Sequence, residues 1–119
     1  MKNIIMSPPR FYRLTDNNTD SIDNNSGQNA YSDKSSKRGD YINGKRATRQ
    51  WDKLYLLLKL LGVNIKILPP NETLRSLTFT CDNAFIYQQK AISANFKNKP
   101  RQAEPNYTKP YLKNIGLKP

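Results

Sequence analysis

Cys81 is the single thiol in a chain of 119 residues that contains no histidine. A cysteine nucleophile or a general base ordinarily relies on an imidazole, and a zinc cage needs several thiolates or imidazoles. Both chemistries therefore lack their usual parts. The mid-chain carboxylates Asp52, Glu72 and Asp82 are scattered rather than paired, which gives no acid/base couple. Gly39 and Gly44 do not build a phosphate-cradling loop, because neither the Walker-A pattern nor GxGxxG occurs. Cys81 itself reads as a small buried hydrophobe. No catalytic residue, metal or cofactor is expected, and the chain reads as a non-enzyme without a small-molecule substrate.

The abundant chemistry is cationic. Twenty Lys and Arg stand against nine Asp and Glu, a formal charge of +11. In residues 37–50, Lys37, Arg38, Lys45, Arg46 and Arg49 oppose Asp40 alone, with Tyr41 set among them. Towards the C-terminus Lys99, Arg101, Lys109 and Lys113 alternate with Tyr107 and Tyr111. Cations that release counterions from phosphates, interleaved with rings that stack on bases, suit a nucleic-acid backbone. These residues are the expected RNA contacts.

The elements that must position them begin with a helix over 48–62. Thr48 serves as its cap, and Trp51, Leu54, Tyr55, Leu58 and Leu61 recur at helical spacing. Leu56, Leu57 and Leu60 widen that stripe, so the helix should be buried on several sides and Trp51, Leu54, Tyr55, Leu58 and Leu61 should meet a protein neighbour. Gly62 ends it, with Lys59 favoured near the negative end of the helix dipole. Val63, Ile65 and Ile67 then alternate with polar residues, which predicts a strand over 63–68 ended by Pro69-Pro70. Asn71 is placed to cap a short turn. The run Leu77–Cys81 alternates again as a second strand, and Phe85, Gln89, Ile92 and Phe96 line a second helix from Asp82 or Asn83 to about Lys97.

The expected architecture is thus a small α+β body, helix–strand–strand–helix over 48–97, with extensions on both sides. Residues 1–36 read as an extended polar N-terminal segment, 37–47 as a basic linker and 98–119 as a Pro-rich basic tail kept irregular by its prolines. Hydrophobic residues make up only 36% of the chain, below a typical globular share of about 45–50%. A core near fifty residues buries too little surface to be secure alone. A partner must supply the missing cover.

This layout favours a structural RNA-binding component of a ribonucleoprotein, a small ribosomal protein of an intracellular ribosome. Frequent Asn, Lys and Ile, all read from A/T-rich codons, point to an AT-rich genome such as a mitochondrion's. A second reading is a non-catalytic accessory subunit of a large organelle or membrane-associated complex. A third is a phage or plasmid DNA-binding accessory. The longest apolar run, Leu54–Leu61 interrupted by Lys59, falls far short of the roughly 20 residues of a membrane span.

Overall fold

The computed structural model describes residues 2–13 and 42–118. Six elements follow in order: β1 (Asn3–Met6), α1 (Gly44–Leu60), β2 (Asn64–Ile67), β3 (Ala84–Tyr87), β4 (Lys90–Ser93) and α2 (Glu104–Asn114), with short 3-10 turns at Thr80–Asp82 and Lys99–Arg101. The fold is α+β, two helices with two two-stranded sheets. β1 and β2 pair in parallel, Asn3 opposite Asn64 through Met6 opposite Ile67. A parallel pair requires a crossover, and α1 lies within it. β3 and β4 form an antiparallel hairpin.

The first helix and its strand are where periodicity puts them, with an earlier start. Asn43, not Thr48, is the cap: its side-chain oxygen accepts from the Arg46 N–H at 3.0 Å. Gly62, at φ +77°, closes the helix. Its N–H donates to the Lys59 carbonyl and the Val63 N–H to that of Leu58, a Schellman pair. The same arrangement ends α2, where Gly116 (φ +91°) bonds back to Lys113 and Leu117 to Leu112. Each helix thereby hands the chain directly to a β segment: β2 after Gly62, and a single parallel bridge between Lys118 and Lys90 after Gly116.

Three expectations are corrected. Leu77–Cys81 is not a strand but a succession of turns, bonded Leu77 to Leu74, Phe79 to Ser76 and Asp82 to Phe79. Residues 82–97 are not a helix. Ala84-Phe85-Ile86-Tyr87 suits a pleated surface, and Gln88, at φ +53°, takes the left-handed conformation that starts a two-residue hairpin loop. The Pro-rich C-terminal run holds the helix Glu104–Asn114. Pro105 occupies the first turn, where a missing N–H costs nothing, while Pro110 is tolerated inside.

The core is small and lies beneath these turns. Leu68, Leu74 and Leu77 form its buried cluster, with Ile5, Tyr107 and Tyr111 packed against it. Asn71 does hold a turn, its Oδ1 accepting from the Thr73 N–H at 2.9 Å. The expectation that α1 is covered on several sides is not met: none of its residues is buried. Ala47, Trp51, Tyr55 and Leu58 are half-buried, while Leu54, Leu56, Leu57 and Leu61 are exposed and Leu60 is 86% exposed.

Candidate functional site

Between the β1–β2 sheet, the hairpin and α2 runs a cleft of about 720 Å³. Its apolar wall includes Ile4, Leu68, Ile86 and Leu112, and its polar residues include Asn3, Lys66, Thr80, Cys81, Asn83 and Thr108. The 3-10 turn Thr80–Asp82 forms one side of it. Two threonines stitch this region to the N-terminal segment: Thr80 Oγ1 donates to the Ile5 carbonyl and Thr78 Oγ1 to that of Ser7, each at 3.0 Å. Sequence-distant β1 is thereby fixed beside the turn that precedes β3.

Asn83 is, like Thr108, a buried polar residue of the cleft lining. It is only 4% exposed. Its N–H donates to the Thr80 carbonyl, its carbonyl accepts from the Ala94 N–H at 2.9 Å, and its Nδ2 donates to the Phe79 carbonyl at 3.4 Å. Among the described residues, no group donates a hydrogen bond to its Oδ1. A buried acceptor without a donor is costly.

Cys81 is exposed on the cleft, not the buried hydrophobe expected from its type. Partial burial lifts its thiol above the ordinary range, and the hydrogen bond to Asp82 (Sγ to Oδ1, 3.5 Å) and that carboxylate's charge add to the rise. This environment keeps the thiol protonated, the opposite of an activated nucleophile.

Next to the turn lies an ion cluster. Arg101 is 3% exposed and Glu104 fully buried. The guanidinium donates through Nε and Nη2 to both Glu104 oxygens at 2.9 Å, and through Nη1 to Asp82 Oδ2 at 2.7 Å, while stacking 4.3 Å above the Phe96 ring. Burial pulls the Arg101 pKa down, but its bonds to Glu104 and Asp82 outweigh that and leave it raised.

The described residues expected to contact RNA lie on α1, on α2 and on the 3-10 turn that precedes it. Lys45, Arg46 and Arg49 are exposed on the first turns of α1; Lys99, Lys109 and Lys113 are exposed around α2. Arg101 is spent on its buried ion cluster. Tyr107 donates its hydroxyl to the Pro69 carbonyl at 2.9 Å, and Tyr111 packs on the leucine core, so neither ring stands free among cations. Lys37, Arg38 and Tyr41 lie outside the described residues. Of the expected protein contacts, Trp51 and Tyr55 stack on each other at 5.4 Å, Leu58 is half-buried, and Leu54 and Leu61 face outward. Asn83, Thr80, Asn3 and Lys66 were not singled out as site residues from sequence. The polar run Thr80–Asn83, expected as the end of a strand and the start of a helix, is the local signal consistent with the turn found there.

No protein-family model and no curated protein matches this sequence. Solved structures do resemble it. Unliganded AgrE matches at a TM-score of 0.73 and 22% identity, covering 98% of this chain and 15% of that one. The N-terminal domain of ArgZ bound to product, described as an arginine dihydrolase from the ornithine–ammonia cycle in Cyanobacteria, matches at 0.71 and 22%, covering 97% of this chain and 37% of that one. A cysteine-to-alanine variant of AgrE with L-arginine matches at 0.69 and 22%, with 97% and 15% covered. This chain thus spans little more than a third of the ArgZ domain. The likeness establishes the fold alone: it resembles part of the N-terminal domain of ArgZ and AgrE and not a ribosomal protein, which corrects the ribosomal, non-catalytic reading and its alternatives. Among the structures it resembles, some hold L-arginine, ornithine with NAD+, or product, and none of these is described with RNA. Among the described residues, no helix is long and apolar enough to cross a membrane.

Proposed function

We propose that this chain serves an arginine-dihydrolase-type hydrolase, forming the part of the substrate site that receives a guanidino amino acid. The observation that carries this reading is Asn83, a nearly buried residue of the cleft lining whose Oδ1 has no hydrogen-bond partner among the described residues, in a fold that resembles part of an arginine dihydrolase domain. A guanidinium has five N–H donors and no acceptor, so an orphaned carbonyl oxygen in a cleft is a complementary partner. Lys66, at the same cleft, supplies a cation for the carboxylate of the amino acid. None of the described residues lining the cleft is a carboxylate, and Cys81 is held protonated. In this reading the guanidinium's counter-charge and the nucleophile come from the portion of such a domain that these 119 residues do not span. Asn83 and Lys66 bind and orient; they do not attack.

Calorimetric titration of the chain with L-arginine and L-ornithine tests this. Loss of one hydrogen bond to a charged group predicts that Asn83→Ala weakens arginine binding about tenfold or more while ornithine binding changes little. Lys66→Ala weakens both. Absence of saturable arginine binding, or an equal loss of both ligands in Asn83→Ala, contradicts the reading.

A further inference from the structure

The strand β3 is at once a wall of the cleft and an open sheet edge. Ala84 and Ile86 line the cleft, and among the described residues no strand lies on the side of β3 away from β4. In the β3–β4 register Phe85 lies opposite Ile92 and Tyr87 opposite Lys90. The Ala94-to-Asn83 hydrogen bond makes these the hydrogen-bonded pairs of the ladder. Ala91, opposite Ile86, donates instead to the Lys118 carbonyl on the far side of β4. By alternation, Ala84 and Ile86 turn their backbone N–H and C=O groups outward, where no described group bonds to them.

Both faces of the hairpin continue this open boundary. Side chains alternate along β3, so Ala84 and Ile86 face the cleft while Phe85 and Tyr87 share the other face with Ile92. Phe85 is 67%, Tyr87 65% and Ile92 70% exposed. The strand Ala84–Tyr87 contains no charge, no proline and no glycine, so it lacks the devices that usually keep an edge from pairing.

Three observations select what covers it. This chain spans little more than a third of the ArgZ domain it resembles, so most of such a domain is further polypeptide. The described cleft lining holds no carboxylate, so the counter-charge to a guanidinium must come from beyond it. The formal charge of +11, with Lys118 bridged to Lys90 beside the hairpin and Lys66 on the cleft, opposes a second copy and favours an acidic surface.

We infer that β3 receives a strand of the acidic polypeptide that completes the domain, and that this strand closes the cleft. The inference rests on the substrate reading above and names the partner of that same site. The added strand bonds to the outward N–H and C=O groups of Ala84 and Ile86, the way extended segments join exposed sheet edges. Its side chains alternate in step with those of β3. One set stands beside Ala84 and Ile86 and enters the cleft, where a carboxylate meets the guanidinium. The other set is apolar and extends the row of Phe85 and Ile92. One strand thus supplies the backbone partners, the apolar cover and the counter-charge that these residues lack.

Photocrosslinking tests this. The full chain carrying Phe85→benzoylphenylalanine is expressed in its native cell, and the captured peptide is sequenced by mass spectrometry. The expected peptide is an apolar segment with a carboxylate, from polypeptide outside these 119 residues whose sequence matches the rest of an arginine-dihydrolase-type domain. Added in purified form, that polypeptide should slow hydrogen exchange at the Ile86 N–H about tenfold or more. Ile86→Pro removes that N–H without touching the intrachain ladder and should weaken its binding about tenfold or more. Phe85→Asp, at an exposed position, should do the same with circular dichroism unchanged. Capture of a second copy, of nucleic acid or of nothing overturns the inference. So does a captured polypeptide whose binding neither substitution weakens. Titration of the assembly with L-arginine separates the two readings. Pairing at β3 without arginine binding refutes the substrate site alone, and arginine binding with a freely exchanging Ile86 N–H refutes the pairing alone.

Discussion

Arg101 and Glu104 meet as a two-pronged fork, Nε to Oε1 and Nη2 to Oε2 both at 2.9 Å, with neither side chain open to solvent. Asp82 takes the remaining prong at 2.7 Å. The bond from Arg101 to Asp82 ties the segment that opens α2 to the turn that carries Cys81 and Asn83, so the cleft's polar wall depends on an ion cluster outside it.

Breaking that fork leaves Glu104 charged and buried. Arg101→Ala should destabilise the chain by about 3–5 kcal/mol in urea unfolding. Arg101→Lys should recover little of this, because an ammonium cannot span both carboxylate oxygens and Asp82 in one plane. Full recovery by lysine would show that charge alone, without the fork, holds the two segments.

Alkaline pH should weaken the fold through Tyr111. Burial lifts its hydroxyl above the ordinary value of 10.0. The folded chain therefore retains that proton to a higher pH than the unfolded chain. The contribution is complete below pH 10.0 and is lost as pH rises through the folded value. Tyr111→Phe should flatten this part of the stability-versus-pH curve; an unchanged alkaline slope would contradict the assignment.

Cys81 should alkylate slowly at neutral pH despite its exposure. Its reaction rate with iodoacetamide should rise with a midpoint above the ordinary 9.0, since partial burial, then Asp82, favours the protonated thiol. Asp82→Asn should move that midpoint down. A midpoint below 9.0 in the unsubstituted chain would reverse the electrostatics drawn for this turn.

The two leucine populations should separate cleanly. Leu77, 2% exposed, lies in the core cluster, and Leu77→Ala should cost about 2–5 kcal/mol. Leu60, at 86% exposure, should tolerate Lys within about 0.5 kcal/mol. Equal losses would mean that the α1 face is covered in solution.

The parts of this fold that could be read from sequence are those with strong local periodicity. Trp51 through Leu61 declares a helix, Gly62 its end, and Val63–Ile67 a strand, because spacing and one left-handed glycine suffice. The hairpin was lost to a competing pattern. Phe85, Gln89, Ile92 and Phe96 also fit a helical face, and only the tertiary setting, with Ala91 buried and Gln88 left-handed, selects β3 and β4. Pro105 and Pro110 suggested a tail, yet a proline in the first helical turn forfeits no bond. The cleft was invisible for a different reason. Asn3, Lys66 and Asn83 come from separate stretches that meet only through parallel β1–β2 pairing and the Thr80-to-Ile5 hydrogen bond. Arg101 looked like a surface cation because nothing local shows that its partner is Glu104 rather than a phosphate.

The side-chain amide of Asn83 offers the most direct test of the substrate reading. In a nitrogen–proton correlation spectrum of the labelled chain, added L-arginine should shift the Asn83 amide and the backbone signals of Thr80 and Lys66 saturably, and leave Lys45, Arg49 and Lys113 unmoved. An Asn83 signal that ignores arginine, or shifts spread evenly over the exposed cations, would contradict it.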